Sequence, residues 1–149
     1  MYMLRKTRVL LGVVLLMGLA AACDRPASES DPVAPRTYAP GDSISVTGLL
    51  VDTRCFLLDK EANRNNDHNR PEGRVPSCAQ ACARQGIPVA VLEGGDPEGL
   101  VWILGGYPSQ IYADYMGGTV RVDGEFRSQG LIIPRKVEYQ NGDTWTRIL

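Results

Sequence analysis

The apolar and proline-rich start of the chain limits its folded part to the last 108 of 149 residues. Residues 9–22 form an unbroken run of apolar residues and glycine, which follows Arg5, Lys6 and Arg8. Residues 24–41 then contain four prolines among Ser, Asp, Glu and Ala. A segment of that composition buries too little apolar area to fold, so we expect the domain to occupy residues 42–149 as one modest core.

Residues 1–22 have the basic start, apolar run and small final residues of an export signal. At about 1.5 Å per residue, the apolar run is shorter than a bilayer core of roughly 30 Å, which disfavours a permanent transmembrane helix. The small residues before Cys23 resemble the lipobox of bacterial lipoproteins. The resemblance implies that residues 1–22 are removed, that Cys23 carries the lipid, and that residues 23–41 are a tether. The alternative is an ordinary secretory signal that leaves a soluble protein.

Either interpretation places the body outside the cytoplasm. The lipobox resemblance implies a lipid anchor in the cell envelope, facing the periplasm, on the inner or the outer membrane. The basic residues of the signal contribute three of the 16 Lys and Arg, against 17 Asp and Glu. The remainder carries 13 basic and 17 acidic residues, a net charge of −4. An acidic body offers no basic surface for a phosphate backbone, which disfavours nucleic acid as a partner.

The body has the pattern of a mainly β domain. Apolar residues alternate along residues 44–51, where Gly48 allows a bend, and most clearly along residues 120–126. Two apolar runs flank a Gly-rich turn and predict a hairpin, and Pro134 suggests that the last strand lies at an edge. The predicted strands cover residues 44–51, 87–92, 100–104, 120–126 and 131–139, with short helices from residue 78 to Gly86 and over 108–116. Five strands with a helix between the third and fourth favour an OB-like barrel. A β-sandwich is the competing architecture.

Three cysteines and the single histidine of the chain lie in one polar excursion after the first strand. Cys55 is expected to close that strand, and His68 lies in an Asn-rich loop without periodicity. Ser77 and Gln80 have the spacing of a capping box for the following helix. Because Cys78 and Cys82 are four residues apart, their sulfurs share one helix face and are expected to point toward Cys55. Asp52 is expected to cap the loop rather than to bind a ligand.

This region resembles a family of small, exported, largely uncharacterised bacterial proteins with an OB-like body. The family pattern is a strand ending in Asp-x-x-Cys-aromatic, a loop with a His, and Cys-Ala-x-x-Cys-Ala followed by Gly-x-Pro. In this chain the pattern reads Asp52-Thr53-Arg54-Cys55-Phe56, His68, Cys78-Ala79-Gln80-Ala81-Cys82-Ala83 and Gly86-Ile87-Pro88. The resemblance extends over residues 47 to about 139, and the loop around His68 is longer than in the family. It implies the OB-like fold and the location of the site.

Three interpretations of these residues stay open. Three thiolates and one imidazole, from Cys55, Cys78, Cys82 and His68, complete a tetrahedral Zn²⁺ set, and two or three of the sulfurs suit Cu⁺. A disulfide from Cys55 to Cys78 or Cys82 instead pins the helix to the first strand, because an exported protein meets an oxidising compartment. A thiol redox site uses Cys78 as its nucleophile. A histidine in a polar loop is also often just a solvated side chain.

The remaining motifs argue against an enzyme. The chain contains no Gly-x-Ser-x-Gly nucleophile elbow, no Gly-rich phosphate loop and no Cys-x-x-Cys-His haem motif. The leading hypothesis is therefore a non-enzymatic, lipid-anchored accessory module that binds a soft metal, Zn or Cu, and serves an envelope protein. The alternatives are a disulfide-stapled scaffold or ligand-binding domain without metal, and a thiol redox protein.

Overall fold

The computed structural model describes residues 36–149. The predicted signal peptide, the predicted lipid attachment residue Cys23 and most of the predicted tether lie outside the described residues. The elements, in chain order, are β1 (Ser43–Asp52), α1 (Thr53–Leu58), β2 (His68–Arg70), β3 (Gly73–Val75), α2 (Cys78–Arg84), β4 (Val89–Glu93), β5 (Val101–Leu104), a 3-10 helix (Ser109–Tyr115), β6 (Thr119–Ser128), β7 (Leu131–Asn141) and β8 (Thr144–Arg147). The expectation of a mainly β domain is confirmed.

Six strands form one sheet in the order β5-β4-β1-β6-β7-β8, with antiparallel neighbours throughout. An additional parallel pairing joins β5 to β7, through Ile103 with Leu131 and Leu104 with Ile132. The pairings therefore connect five strands in a closed ring, in the order β1, β4, β5, β7 and β6. Strand β8 pairs with β7 outside this ring. Strands β2 and β3 form a separate two-stranded sheet within the polar excursion.

The burial pattern of β1 changes along the strand, which pairs with two neighbouring strands. Ile44 and Val46 are buried while the intervening residues are exposed, and from Leu50 to Asp52 every residue is buried. The first part of β1 pairs with β6 and the last part with β4. Gly48 lies in both registers, and a Cβ atom at this position would stand 2.0 Å from the Leu92 carbonyl oxygen. Only glycine permits this close approach of two backbones.

The later strands follow their predicted positions. The hairpin of β4 and β5 is present around the Gly-rich turn, and β6 alternates between buried and half-exposed residues up to Glu125. The expectation that this strand lies at an edge is wrong, because β7 pairs with β6 and with β8. Pro134 itself pairs only with β6, since the pairings of β7 with β5 and β8 do not include it. Pro134 lies opposite Gly124, next to a register shift after Asp123. Such an irregularity tolerates a residue without an N–H donor inside a sheet.

The short helix predicted after Pro108 is present as a 3-10 helix, with Tyr112 and Met116 buried. One expectation about the first strand needs correction. The first strand ends at Asp52, and Cys55 lies inside α1 rather than closing the strand. The structure also contains β2, β3 and β8, which the sequence patterns did not indicate. None of these three strands has an apolar alternation, so periodicity carries no signal for them.

The core lies among the strands of the ring, the 3-10 helix and one face of α2. Its buried residues include Ile44, Val46, Leu50, Ala79, Ala83, Val89, Val91, Trp102, Leu104, Tyr112, Val120, Val122, Ile132 and Val137. Contacts with this core extend upstream into the segment predicted as a tether. Tyr38 packs against Trp102 and Phe126 with ring centroids 5.6 Å apart, and Arg36 pairs with Glu93 at 2.7 Å. No helix within residues 36–149 has both the length and the apolar character needed to cross a membrane.

Replacing Gly48 with alanine tests the close approach of β1 and β4. The added methyl group overlaps the Leu92 carbonyl, so we expect Gly48→Ala to lower the free energy of unfolding by about 2 kcal/mol or more. Urea denaturation of the two proteins measures the difference. Thr47→Ala, an exposed change in the same strand, is the matched control and should cost under about 0.5 kcal/mol. Equal stabilities of the two variants would contradict the tight backbone contact.

Candidate functional site

Asp52 places Cys55 by capping α1. It is the last residue of β1, and its Oδ1 accepts a hydrogen bond of 2.9 Å from the Cys55 amide. A carboxylate three residues before the amide satisfies one of the free donors at the start of a helix and holds the turn from strand to helix. The expected capping role of Asp52 is therefore confirmed. Both Asp52 and Cys55 are buried.

The Asn-rich loop is held by side-chain hydrogen bonds to distant backbone groups. Asn63 is buried; its amide nitrogen donates to the Cys55 carbonyl at 2.9 Å, and its oxygen accepts from the Asn69 amide at 2.9 Å. Asn63 thereby joins the end of α1 to β2. His68 begins β2 and is fully buried, so the alternative of a solvated loop histidine is wrong.

The start of α2 is capped from the same loop. Ser77 adopts a left-handed conformation with φ of 51° and makes no side-chain cap, so the predicted capping box with Gln80 is absent. Asn66 takes that role: its carbonyl accepts from the Ala79 amide at 3.0 Å, and its Oδ1 accepts from the Gln80 amide at 3.1 Å. A cap from a residue so far upstream leaves no local pattern in the sequence.

These contacts bring the three cysteine sulfurs together. Cys78 and Cys82 share one face of α2, and their sulfurs and that of Cys55 all lie within 4.8 Å of one another. All three residues are buried and have free thiols in the structure. They form a cluster separate from the main core, with Val75 and Ile87 packed against it. The convergence expected from the four-residue spacing is present.

Of the three cysteines, His68 is grouped with Cys55 alone. Its ring lies with the Asp52 carboxylate and the Cys55 sulfur in a second group whose ligand atoms are also within 4.8 Å of one another. Within residues 36–149, no such group unites His68 with Cys78 and Cys82. The four predicted ligands therefore occupy two triads that share Cys55. Asp52, expected only as a cap, faces the same space.

Arg70 is a contact residue that the sequence patterns missed. Its Nη2 donates to the Cys78 sulfur at 3.1 Å and to the Cys55 sulfur at 3.5 Å, and these contacts raise the pKa of Arg70. Side chains two residues apart in a strand point to the same side, so His68 and Arg70 approach the cluster together from β2. The two-residue spacing of His68 and Arg70 could have indicated this contact, but only if residues 68–70 had been recognised as a strand.

Burial keeps two of the thiols protonated at neutral pH. It raises the pKa of Cys55, with a further contribution from the Asp52 carboxylate, while the hydrogen bond from Arg70 acts in the opposite direction. Burial, followed by the Asp52 charge, raises the pKa of Cys82 to about 12. A thiolate at either position therefore needs a compensating positive charge in this environment.

A cavity of about 510 Å³ opens beside Cys55. Its lining includes Arg54, Cys55, Leu58, Asp59, Asn63 and Arg70. The cavity reaches the cluster from the side of α1 and β2, where the Arg70 guanidinium stands next to two of the sulfurs.

Comparison of the chain with protein-family models, with curated protein sequences and with solved structures finds no match.

The raised pKa of Cys82 predicts slow alkylation in the folded, reduced and metal-free protein. Because the thiolate is the reacting form, a pKa near 12 lowers the reactive fraction at pH 8, far below that of an unfolded chain. We expect iodoacetamide to label Cys82 at least about a hundredfold more slowly in the folded protein than in urea, by mass spectrometry of the Cys82 peptide. Raising the pH toward the pKa should accelerate the reaction. Equal rates in the two states would contradict the burial of this thiol.

Proposed function

We propose that this protein is an exported, lipid-anchored, non-enzymatic module that binds a soft metal ion, Zn²⁺ or Cu⁺, through Cys55, Cys78 and Cys82. His68 lies beside these ligands. The observation that carries the proposal is the convergence of three buried, free sulfurs to within 4.8 Å of one another. A disulfide would use two of the three sulfurs, whereas a metal ion uses all three.

The spacing of the sulfurs fits metal coordination. At a metal–sulfur distance of about 2.3 Å, two ligands of a tetrahedral ion are about 3.8 Å apart. Two ligands of a trigonal ion with similar bonds are about 4.0 Å apart. Both separations fall within the 4.8 Å limit that the three sulfurs satisfy. Thiolates are the ligands that favour Zn²⁺ and Cu⁺ over hard cations such as Mg²⁺ or Ca²⁺.

The electrostatics of the cluster favour a bound cation. The raised pKa values of Cys55 and Cys82 reflect the cost of placing thiolate charge in a buried site close to Asp52. A metal ion supplies the missing positive charge and displaces the thiol protons. The hydrogen bonds from Arg70 to two of the sulfurs are outer contacts of the kind that orient ligands and moderate thiolate charge.

The disulfide alternative depends on the same proximity. A bond from Cys55 to Cys78 or Cys82 would fasten α1 to α2 and leave the third thiol buried, and an oxidising compartment favours it. The domain would then be a scaffold or ligand-binding module without metal. The thiol redox alternative receives less support, because the raised pKa values of Cys55 and Cys82 disfavour a ready thiolate in the metal-free protein.

We also propose that the five-stranded ring is an OB-like barrel. The support is the pairing path, in which the first strand of the ring pairs with the second and fourth, and the third pairs with the fifth in parallel. The 3-10 helix lies between the third and fourth strands of the ring, as the helix of an OB-like order does. On this interpretation the sulfur cluster occupies the long connection between the first two barrel strands.

The proposed cellular location of the protein rests on its sequence. The lipobox resemblance at Cys23 supports anchoring in the cell envelope on the periplasmic side, with the lipid bilayer as one partner. The acidic composition of the body supports a role without nucleic acid. We propose an envelope protein as the second partner, to which this module presents its metal.

Metal analysis of the full chain, purified anaerobically from its native compartment, tests the metal proposal. We expect at least one equivalent of Zn or Cu per chain. Cys78→Ser and Cys82→Ser should each weaken binding by about a hundredfold or more, because loss of even an outer contact to a metal ligand costs 10–100-fold. Ala81→Ser is the matched control, since Ala81 is exposed on the same helix. It should keep the wild-type metal content.

Thiol counting on the same preparation distinguishes the disulfide alternative. A metal-free protein in which two of Cys55, Cys78 and Cys82 are blocked until reduction would contradict the metal proposal and support the stapled scaffold. Full metal content in all three Cys→Ser variants would contradict it equally, because the ion would then lie elsewhere.

Replacing Cys23 tests the anchor. Cys23→Ser removes the atom that the lipobox resemblance assigns to the lipid, so the body should move from the membrane fraction to the soluble fraction, and labelling by a radioactive fatty acid should disappear. Fractionation and labelling of cells that produce either protein measure both effects. Unchanged membrane retention of the variant would refute lipid attachment at this residue.

A further inference from the structure

The Asp52 and His68 side chains contain buried polar atoms without partners. Both residues are fully buried. Asp52 Oδ2 and both ring nitrogens of His68 have no hydrogen-bond partner within residues 36–149. Burying a carboxylate oxygen and an imidazole without partners is costly, and native proteins rarely leave such atoms unsatisfied. A ligand bound between the two side chains would satisfy Asp52 Oδ2 and the ring nitrogen that faces it, His68 Nε2.

The distance between these groups is that of two metal ligands. His68 Nε2 lies 3.4 Å from Asp52 Oδ2, yet the two atoms do not form a hydrogen bond. Two ligands of a tetrahedral Zn²⁺ ion, each at about 2.1 Å, are separated by about 3.4 Å. A direct ion pair between a protonated histidine and the carboxylate would instead align an N–H with the oxygen at a shorter distance.

We propose that Asp52, His68 and Cys55 hold a second divalent cation of the Zn²⁺ class, next to the ion held by the three cysteines. The proposal rests on the proposed metal function. The Cys55 sulfur belongs to both groups of potential ligands and bridges the two ions. The protein centre is then dinuclear, with one thiolate-rich position and one position that combines oxygen, nitrogen and sulfur ligands.

The ligands of the second position favour a borderline cation. A carboxylate and an imidazole suit Zn²⁺, whereas Cu⁺ prefers sulfur alone. Asp52 is free for this role because only its Oδ1 caps α1, which leaves Oδ2 directed at His68. The end of β1 and the start of β2 therefore supply the oxygen and nitrogen ligands of the second position, and Cys55 of α1 belongs to both positions.

The charges of the centre balance for two divalent ions. Two such ions carry four positive charges, and three thiolates with the Asp52 carboxylate carry four negative charges. The further positive charge beside the cluster is that of Arg70, which lies against Cys55 and Cys78 at the edge of the cavity. With a single ion, the Asp52 carboxylate would remain buried without a partner for Oδ2.

Cadmium-113 NMR of the reduced full chain tests the second position. The resonance of this nucleus moves downfield with each thiolate ligand, so the two positions give separate signals. We expect a downfield signal from the thiolate-rich position, a signal further upfield from the mixed position, and about two equivalents of Cd²⁺ or Zn²⁺ bound per chain. Asp52→Asn keeps the capping oxygen and should remove only the upfield signal, which halves the stoichiometry.

Two further variants complete the experiment. Asp59→Asn is the matched control, because Asp59 accepts a hydrogen bond from the Ala62 amide and lines the cavity beside Cys55 without belonging to either ligand group. It should keep both signals. His68→Gln should also remove the upfield signal. If the Asp52 variant fails to fold, the His68 variant alone tests the second position.

The outcomes separate this inference from the proposed function. A single downfield signal and one equivalent in the wild-type protein would overturn the second position and leave the three-cysteine site intact. Persistence of the upfield signal in both Asp52→Asn and His68→Gln would overturn it as well. No cadmium signal from any position would overturn the proposed metal function itself.

Discussion

The hydrogen bond from the Cys55 amide to Asp52 Oδ1 is the contact on which the rest of the site depends. It ends β1 within one residue and starts α1, which directs the Cys55 sulfur away from the sheet and toward α2. The same capping geometry leaves Oδ2 buried and facing His68. One side chain therefore determines both the local structure and the charge of the cluster, and its charge contributes to the raised pKa values of Cys55 and Cys82.

The polar excursion folds through hydrogen bonds rather than through apolar burial. Asn63 joins α1 to β2, and Asn66 caps α2 from across the loop. Gly117 lets this loop approach the 3-10 helix, since a Cβ atom there would lie 2.6 Å from the Asn66 amide nitrogen. A segment with the composition of a solvated loop thus encloses a buried histidine and three buried cysteines. Asn63 is buried in this segment at low cost because backbone groups satisfy both ends of its side-chain amide.

The strands and the ligand-bearing helix were predictable because their signals are local. Alternation marks β1 and β6, the Gly-rich turn marks the hairpin of β4 and β5, and the four-residue spacing places Cys78 and Cys82 on one face. The short strands β2, β3 and β8 have no such alternation. Helix α1 escaped prediction because it is only six residues long, and the Asp52 cap alone marks its start.

The amino-acid sequence by itself determined the mainly β class, the approximate strand positions and the set of cysteine and histidine residues from which a site can form. The sequence also contains the N-terminal signal pattern and Cys23, on which the proposed cellular location depends. Tertiary structure alone decided that His68 is buried, that it faces Asp52 rather than Cys78 and Cys82, and that Arg70 contacts two sulfurs. The reason is physical: periodicity reports which face of an element is apolar, whereas the partners of a buried polar atom are set by long-range contacts that no local pattern encodes.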